Sequence, residues 1–122
     1  MPRVSGYLLY RTPAVAERDS AEFEDWPLHD AVLGPLTLDW WTRTCRLELA
    51  VFFRHGEDAE PAVIEWEGVG SVTVSRDEPW GPSDYVNSQR REGERSFVIE
   101  IQSGDEIRVV ADSVSLHERR AV

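Results

Sequence analysis

The clearest pattern of apolar and polar positions lies in residues 97–111, FVIEIQSGDEIRVVA. Apolar side chains occupy odd positions on both sides of residues 102–104, which is the period of strands that each bury one face. Both apolar rows have odd residue numbers. In an antiparallel pair they can share one face of the sheet only if the loop between them has an odd number of residues. Gly104 ends this short loop, where a type I turn with a bulge requires a positive φ. The predicted cross-strand pairs are Ile99 with Ile107 and Phe97 with Val109.

A second alternating pair lies in residues 36–53. The apolar residues of its first strand have even numbers, and those of its second strand have odd numbers. The loop between them must therefore have an even number of residues, and residues 41–44 satisfy this condition. Hairpin loops of this length are built on a type I turn and need no glycine. The predicted pairs are Trp40 with Cys45 and Leu38 with Leu47, and they place Trp40 on the inner face.

A third hairpin is predicted to join residues 62–66 to residues 72–74. Gly68, Val69 and Gly70 would form its loop, with Gly70 in the left-handed conformation. The predicted pairs are Trp66 with Val72 and Ile64 with Val74, and they place Trp66 in the core. The stretch GVGS also resembles a fragment of a phosphate-binding loop, but without the lysine and a following helix the turn is the favoured interpretation.

The rest of the chain is less regular. Residues 4–10 predict a first strand, and residues 14–26 predict a short helix that follows Thr12 and Pro13 and ends before Pro27. Residues 76–95 break the alternation, and a connection of this length in a small domain is typically functional or mobile. Val114 and Leu116 indicate a final strand.

Together these elements predict an all-β fold, mainly an antiparallel β-sandwich or bent sheet, with one short peripheral N-terminal helix. An open barrel is the alternative architecture. The length of 122 residues is enough for a self-sufficient core, and residues 1–122 are expected to form a single domain.

Charge narrows the choice of partner. The formal net charge is −10, and all 13 basic residues are arginines. A surface of this sign disfavours nucleic acid and anionic membranes, whereas it permits a basic protein partner. The single cysteine, Cys45, cannot form an internal disulfide and is expected to be a buried, inert thiol. With no signal peptide or apolar span in the sequence, a bacterial-type cytoplasm is the expected compartment.

Candidate chemistry is sparse. The histidines are scattered and no metal-ligand spacing is present, so we expect no metal and no cofactor. Ser83 lacks the glycine-flanked elbow of hydrolases. A small hydrolase-like enzyme using His29, Asp30 and Ser83 is therefore the third hypothesis, and a non-catalytic protein is the prediction.

The irregular stretch 76–95 carries the candidate partner- or ligand-binding residues. They are Trp80, Ser83, Tyr85, Asn87 and Arg90. Tryptophan, tyrosine and arginine are the usual energetic anchors of interfaces, and aromatic rings also stack on sugars. The alternative is that Trp80 folds back over an open end of the sheet and buries itself.

Several short pieces look like a group of small bacterial all-β domains of unassigned function. The pieces are Leu28-His29-Asp30-Ala31, Asp39-Trp40, Pro79-Trp80-Gly81-Pro82-Ser83 with Val86-Asn87, and Ile99-Glu100-Ile101-Gln102-Ser103-Gly104-Asp105. The resemblance implies a small antiparallel β fold and no established catalytic residue. In its acidity and tryptophan content the chain is also loosely similar to immunity proteins that neutralise polymorphic toxins.

The sequence thus favours a non-catalytic binding domain for a protein partner, with an immunity-like role as one version. A small-ligand or carbohydrate-binding module that uses the same aromatic stretch is the alternative. The oligomeric state is left open.

Overall fold

The computed structural model describes residues 14–119. The predicted strand 4–10 and the predicted helix start at Thr12 and Pro13 lie outside these residues. The strands are β1 (Ala14–Arg18), β2 (Val32–Asp39), β3 (Thr44–Val51), β4 (Glu60–Glu67), β5 (Ser71–Val74), β6 (Val86–Arg91), β7 (Ser96–Ile101), β8 (Glu106–Val110) and β9 (Ser113–Arg119). A 3₁₀ helix, Ser20–Asp25, follows β1. Among the helices of these residues, none is long and apolar enough to span a bilayer.

Two antiparallel sheets form the fold. One contains five strands in the order β1-β9-β4-β3-β2, and the other contains four in the order β5-β8-β7-β6. Inward-facing rows from both sheets meet in one apolar core. Burial alternates residue by residue along β3 and β8, as expected of strands with one buried face. The all-β prediction is therefore confirmed.

The hairpin predicted from residues 97–111 is confirmed in detail. Strands β7 and β8 pair Ile99 with Ile107 and Phe97 with Val109. Gly104 has a φ of 92°, the positive value that the turn requires. The parity of the two apolar rows, together with the position of Gly104 in the turn, is sufficient to fix this register.

The hairpin of β2 and β3 forms, but its predicted register is wrong by two residues. Leu38, and not Trp40, lies opposite Cys45, and the loop consists of residues 40–43. Asp39 ends the strand early because its Oδ1 accepts the backbone N–H groups of Trp41 and Thr42, at 3.0 and 3.2 Å. Trp40 consequently lies at the hairpin tip with 82% of its surface exposed, so its predicted place in the core is also wrong.

The third predicted hairpin does not form. Strand β4 pairs with β3 and β9 in one sheet, and β5 pairs with β8 in the other. Residues 68–70 cross between the sheets, and Gly68, not Gly70, has the positive φ. Hydrogen bonds from Val69 N–H to Arg43 O and from Gly70 N–H to Val110 O fix the crossing. The apolar row of β9 is in phase with β4, so β9 takes the place predicted for β5, and Trp66 is buried as predicted.

The N-terminal helix is shorter than predicted and of a different type. Ala14–Arg18 is an edge strand paired with β9, and only Ser20–Asp25 is helical. Asp19 separates the two in extended conformation, and Trp26 before Pro27 is extended as well. The Gln89 side-chain amide donates to the carbonyls of Phe23 and Trp26, which ties the helix end to β6.

The helix covers one side of the sandwich, where it packs against β6 and β9. Phe23 is buried between Trp26 and Phe97, with ring centroids 4.9 and 5.2 Å away in edge-on arrangements. On the other side, β2 and β5 are edge strands of their sheets. That side carries two surface grooves, both of which touch β2 and residues of or next to β5.

Candidate functional site

Three irregular segments meet at one end of the sandwich. We define the end cap as residues 28–31, 75–86 and 101–105. The segment before β2 runs antiparallel to the segment before β6, through Asp30 N–H to Val86 O at 2.8 Å and Val86 N–H to Ala31 O at 2.9 Å. The predicted irregular stretch 76–95 is therefore shorter than expected, because Val86–Arg91 is strand β6.

Asp105 organises the end cap. Its buried carboxylate accepts hydrogen bonds from Ser103 Oγ at 2.6 Å, Ser75 Oγ at 3.0 Å and the backbone N–H groups of Asp77 and Glu78 at 2.7 and 3.0 Å. These donors, the Ser103 hydroxyl foremost, hold the pKa of Asp105 below its ordinary value. Glu78 has a φ of 51°, and the bond to its N–H holds this left-handed residue in place. Nothing in the neighbouring sequence distinguishes Asp105 from an ordinary polar turn residue, so sequence reasoning missed this role.

Trp80 is seated on the turn that Asp105 holds. The backbone N–H of Trp80 donates to Ser103 O at 2.9 Å. The Trp80 ring lies so close to Gly104 that a Cβ added to Gly104 would be 2.9 Å from Trp80 Cδ2. The side chain is nevertheless 69% exposed. The alternative in which Trp80 buries itself is therefore wrong, and the ring is both fixed and accessible.

Tyr85 stands on the other flank of the same turn. Its carbonyl accepts the Gln102 N–H at 2.8 Å, and its own N–H donates to Ser83 Oγ at 3.1 Å. The Tyr85 side chain is 47% exposed. Trp80, Ser83 and Tyr85 are thus brought to one end of the molecule on hydrogen-bonded backbone.

Asn87 and Arg90 have other surroundings. Asn87 lies next to the end cap, where its Nδ2 donates to Glu100 Oε1 at 2.7 Å. Arg90 lies roughly 13 Å further along β6 than Val86, at the usual rise per residue. Its guanidinium pairs with Glu92 at 2.8 Å and Glu106 at 3.0 Å on the outer face of the sheet. Arg90 is therefore not part of the aromatic cluster.

Of the three residues in the hydrolase hypothesis, His29 and Asp30 are close to each other, with His29 Nε2 lying 3.6 Å from Asp30 Oδ1. His29 Nδ1 lies 2.8 Å from Asn87 O, and Ser83 Oγ accepts the Tyr85 N–H; no hydrogen bond joins His29 to Ser83. Burial raises the pKa of the Cys45 thiol to about 11, which keeps it protonated and inert, as predicted. Within residues 14–119, no group of three His, Cys, Asp or Glu side chains is placed to hold a metal ion.

The end cap is acidic. It contains five carboxylates and one arginine, Arg76, whose guanidinium lies 2.9 Å from Glu78. The carboxylates belong to Asp30, Asp77, Glu78, Asp84 and Asp105. The exposed aromatic rings thus share the end cap with an excess of negative charge.

A second exposed aromatic pair was missed by sequence reasoning. Trp40 and Trp41 occupy the β2–β3 hairpin tip, and Trp41 is 83% exposed. The available signal was Asp39, a residue type that starts turns by accepting backbone N–H groups two or three positions on.

The chain matches no protein-family model, no curated protein and no solved structure. Apart from Asp39-Trp40, the short pieces quoted from the sequence above lie in the end cap or directly beside it.

Gly104 provides a direct test of how Trp80 is seated. Gly104→Ala combines a positive φ with a clash against Pro79 Cγ, 2.7 Å from the added Cβ, and against the Trp80 ring, so we expect a loss of about 2–3 kcal/mol in the free energy of unfolding. Gly93→Ala is the matched control, because Gly93 also has a φ of 92° but nothing within 4 Å of an added Cβ. It should lose about 1 kcal/mol. Urea unfolding measures both, and equal losses would show that the ring does not rest on Gly104.

Proposed function

We propose that this protein is a non-catalytic binding domain that holds a basic protein partner through the end cap. The observation that carries the proposal is the seated but exposed ring of Trp80, with the exposed Tyr85 in the same end cap. An immunity-like role, in which the partner is a basic toxin, is one version. A bacterial-type cytoplasm is the compartment we propose, and the unpaired Cys45 supports it.

Exposed aromatic rings on rigid backbone are suited to binding. Burying a tryptophan or tyrosine at an interface contributes more than most residues do, and hot spots of this kind cost at least about 2 kcal/mol when truncated. A ring that is already held in place loses little conformational entropy on binding. The contact of Trp80 with Gly104 and the backbone bonds of Tyr85 supply this preorganisation.

The charge of the end cap supports a basic partner. Four carboxylates besides the buried Asp105 and one arginine lie in the end cap with the two rings, and the whole chain carries −10. Complementary charge accelerates association and discriminates against acidic proteins. A cationic side chain can also stack directly on an open indole face.

A carbohydrate is the second candidate ligand, because the open face of Trp80 is also a platform on which a sugar ring can stack. Tryptophan fluorescence titrated with a glycan panel separates the two candidates. A sugar-binding module would show quenching, whereas no quenching at millimolar sugar would exclude this alternative.

Affinity capture from a native lysate tests the protein-partner proposal. We expect the double variant Trp80→Ala plus Tyr85→Ala to retain less than about one thirtieth of the main captured protein, since two hot spots are removed. Trp41→Ala is the control, because it also removes an exposed tryptophan but lies at the β2–β3 tip. The proposal is wrong if the double variant captures the same proteins in the same amounts as the unaltered chain.

A further inference from the structure

The two sheets leave four edge strands among the described residues: β1, β2, β5 and β6. Exposed edges invite pairing with another chain, and proteins usually guard them with bulges, prolines or charges. The pairings of β1, β2 and β6 each contain a register shift. In addition, β2 contains Pro35, β1 contains Glu17 and Arg18, and β6 contains Arg90 and Arg91.

Strand β5 has none of these guards. Its sequence is Ser-Val-Thr-Val, without charge or proline, and its pairing with β8 continues without a shift from Ser71 to Val74. Most of its residues are exposed, and Val74 is one of the exposed large apolar side chains. It is the one unguarded edge of the part of the chain that the structure describes.

The hydrogen-bond phase of β5 shows which backbone groups are available. Ser75 N–H donates to Glu106 O at 3.1 Å, next to the pair of Val74 with Ile107. In an antiparallel ladder the bonded residues alternate, so Thr73 bonds to β8 while Val72 and Val74 point their N–H and C=O groups away from it. The N–H and C=O groups of Val72 and Val74 that point away from β8 are the groups to which an added strand would form hydrogen bonds.

The space beside β5 is a groove and not a neighbouring strand. A cavity of about 540 Å³ lies between the start of β5 and the β2–β3 tip, lined by Leu38, Trp40 and Val72. A second cavity, of about 200 Å³, extends past Val74 to Leu36 on β2. Alternate side chains of an added strand would point into this groove, and Trp40 would border one end.

We propose that β5 is a strand-addition site that takes an extended, basic segment of a protein partner. The sign of the partner's charge rests on the proposed function, and the net charge of −10 supports it. A second copy of this chain is the other possible occupant, and two copies of the same negative charge repel each other. Main-chain hydrogen bonds to the edge would supply affinity, and the groove would supply side-chain selectivity.

Amide hydrogen exchange by NMR tests the site with a synthetic peptide in which valine and threonine alternate between terminal arginines. We expect the peptide to slow exchange of the Val72 and Val74 amides by at least about tenfold. The Thr73 amide, already bonded to β8, should change little. The same peptide with terminal glutamates should bind more weakly.

Backbone N-methylation of the peptide gives a second measurement that does not depend on altering the protein. Methylating the alternate residues that face β5 should abolish the slowing, and methylating the other set should leave it. The proposal is overturned if methylating the set that does not face β5 also abolishes the slowing of amide exchange, or if the unmodified peptide does not slow exchange. Slow exchange at Val72 without peptide, together with a dimer in analytical ultracentrifugation, overturns it in favour of a second copy.

The Trp80→Ala plus Tyr85→Ala variant distinguishes this inference from the proposed function. The peptide should still protect Val72 and Val74 in that variant, because the end-cap rings are not part of the β5 edge. If lysate capture depends on Trp80 and Tyr85 but the peptide gives no protection, the end-cap proposal stands and strand addition is wrong. If the peptide protects Val72 and Val74 but lysate capture does not depend on Trp80 and Tyr85, the end-cap proposal is wrong and strand addition stands.

Discussion

Replacing Trp66 with alanine is expected to lower the free energy of unfolding by about 3 kcal/mol or more. Trp66 is fully buried on β4, between Cys45 of β3 and Val114 of β9. Removing a large aromatic side chain from such a site usually costs about 3–5 kcal/mol. Among residues 14–119 the Trp66 indole N–H has no hydrogen-bond partner, and losing an unsatisfied buried donor offsets part of the cost. The net loss should therefore fall toward the lower end of this range.

Trp40→Ala is the matched control for Trp66→Ala. Both tryptophans are predicted from the sequence to face the core, but Trp40 is exposed at the hairpin tip. Its replacement should change the free energy of unfolding by no more than about 0.5 kcal/mol. Urea denaturation followed by circular dichroism measures both variants. Similar losses for the two would show that β2 and β3 pair in the predicted register and not in the observed one.

Asp105→Asn is expected to have the second-largest effect, on the end cap. The substitution keeps the shape of the side chain but removes the charge, and it replaces an acceptor oxygen by an NH₂ group. The backbone N–H groups of Asp77 and Glu78 and the two serine hydroxyls would then lack a full set of acceptors. We expect the Asp77 and Glu78 amides to exchange with solvent on the order of tenfold faster, because charge-assisted hydrogen bonds are about twice as strong as neutral ones.

The pKa of Asp105 sets the pH dependence of this effect. Because its pKa is lowered in the folded protein, the ionised carboxylate stabilises the fold fully above the ordinary, unfolded value of 3.8. This stabilisation is lost as the pH falls through the folded-state pKa. The stability difference between the unaltered chain and Asp105→Asn should therefore be largest near neutral pH and shrink in acid.

Urea titrations at a series of pH values from neutral to strongly acidic measure this difference. Ser103→Ala is a useful companion variant, since it removes the foremost cause of the lowered pKa. It should move the acid loss of stability to higher pH. A difference between Asp105→Asn and the unaltered chain that is constant with pH would show that the charge of Asp105 does not hold the end cap.

Much of the fold follows from parity and turn chemistry. The rows around Gly104 exclude a shift of the β7–β8 register by one residue, because it would expose the whole apolar face, and the positive φ of Gly104 in the turn sets the rest of the register. A shift by two residues leaves every side chain on its original face. Alternation therefore cannot separate the predicted pair of Trp40 with Cys45 from the observed pair of Leu38 with Cys45. The side chain of Asp39 decides it locally.

The parity of the apolar rows also does not show which strands are neighbours. Val72 and Val74 have a phase that suits pairing with β4 and equally suits pairing with β8 in the other sheet. The choice depends on β9, which is distant in sequence and fits β4 along more of its length. Propensity rules for helices likewise failed at Ala14–Arg18, where pairing with β9 overrides the local preference.

The candidate site was predictable in composition but not in geometry. Trp80 and Tyr85 stand out in sequence as aromatic residues in an irregular stretch, and both are exposed. The role of Asp105 depends on donors that lie about thirty positions earlier, Ser75, Asp77 and Glu78, so no local pattern could show it. Arg90 was grouped with the aromatic residues by proximity in sequence, but strand β6 carries it away from them.

Site-specific photo-cross-linking in a native lysate tests the role of the end cap most directly. A benzophenone amino acid in place of Trp80 should form a cross-link to a basic protein, because the ring it replaces is exposed on the proposed binding surface. The same group in place of Trp41, on the β2–β3 tip, is the control. Cross-links to a basic protein from position 80 are the result we expect, and position 41 adds cross-links to that protein only where a strand bound at β5 also reaches the hairpin tip. Cross-links from position 41 alone, or from neither position, would contradict the end cap as the partner-binding surface.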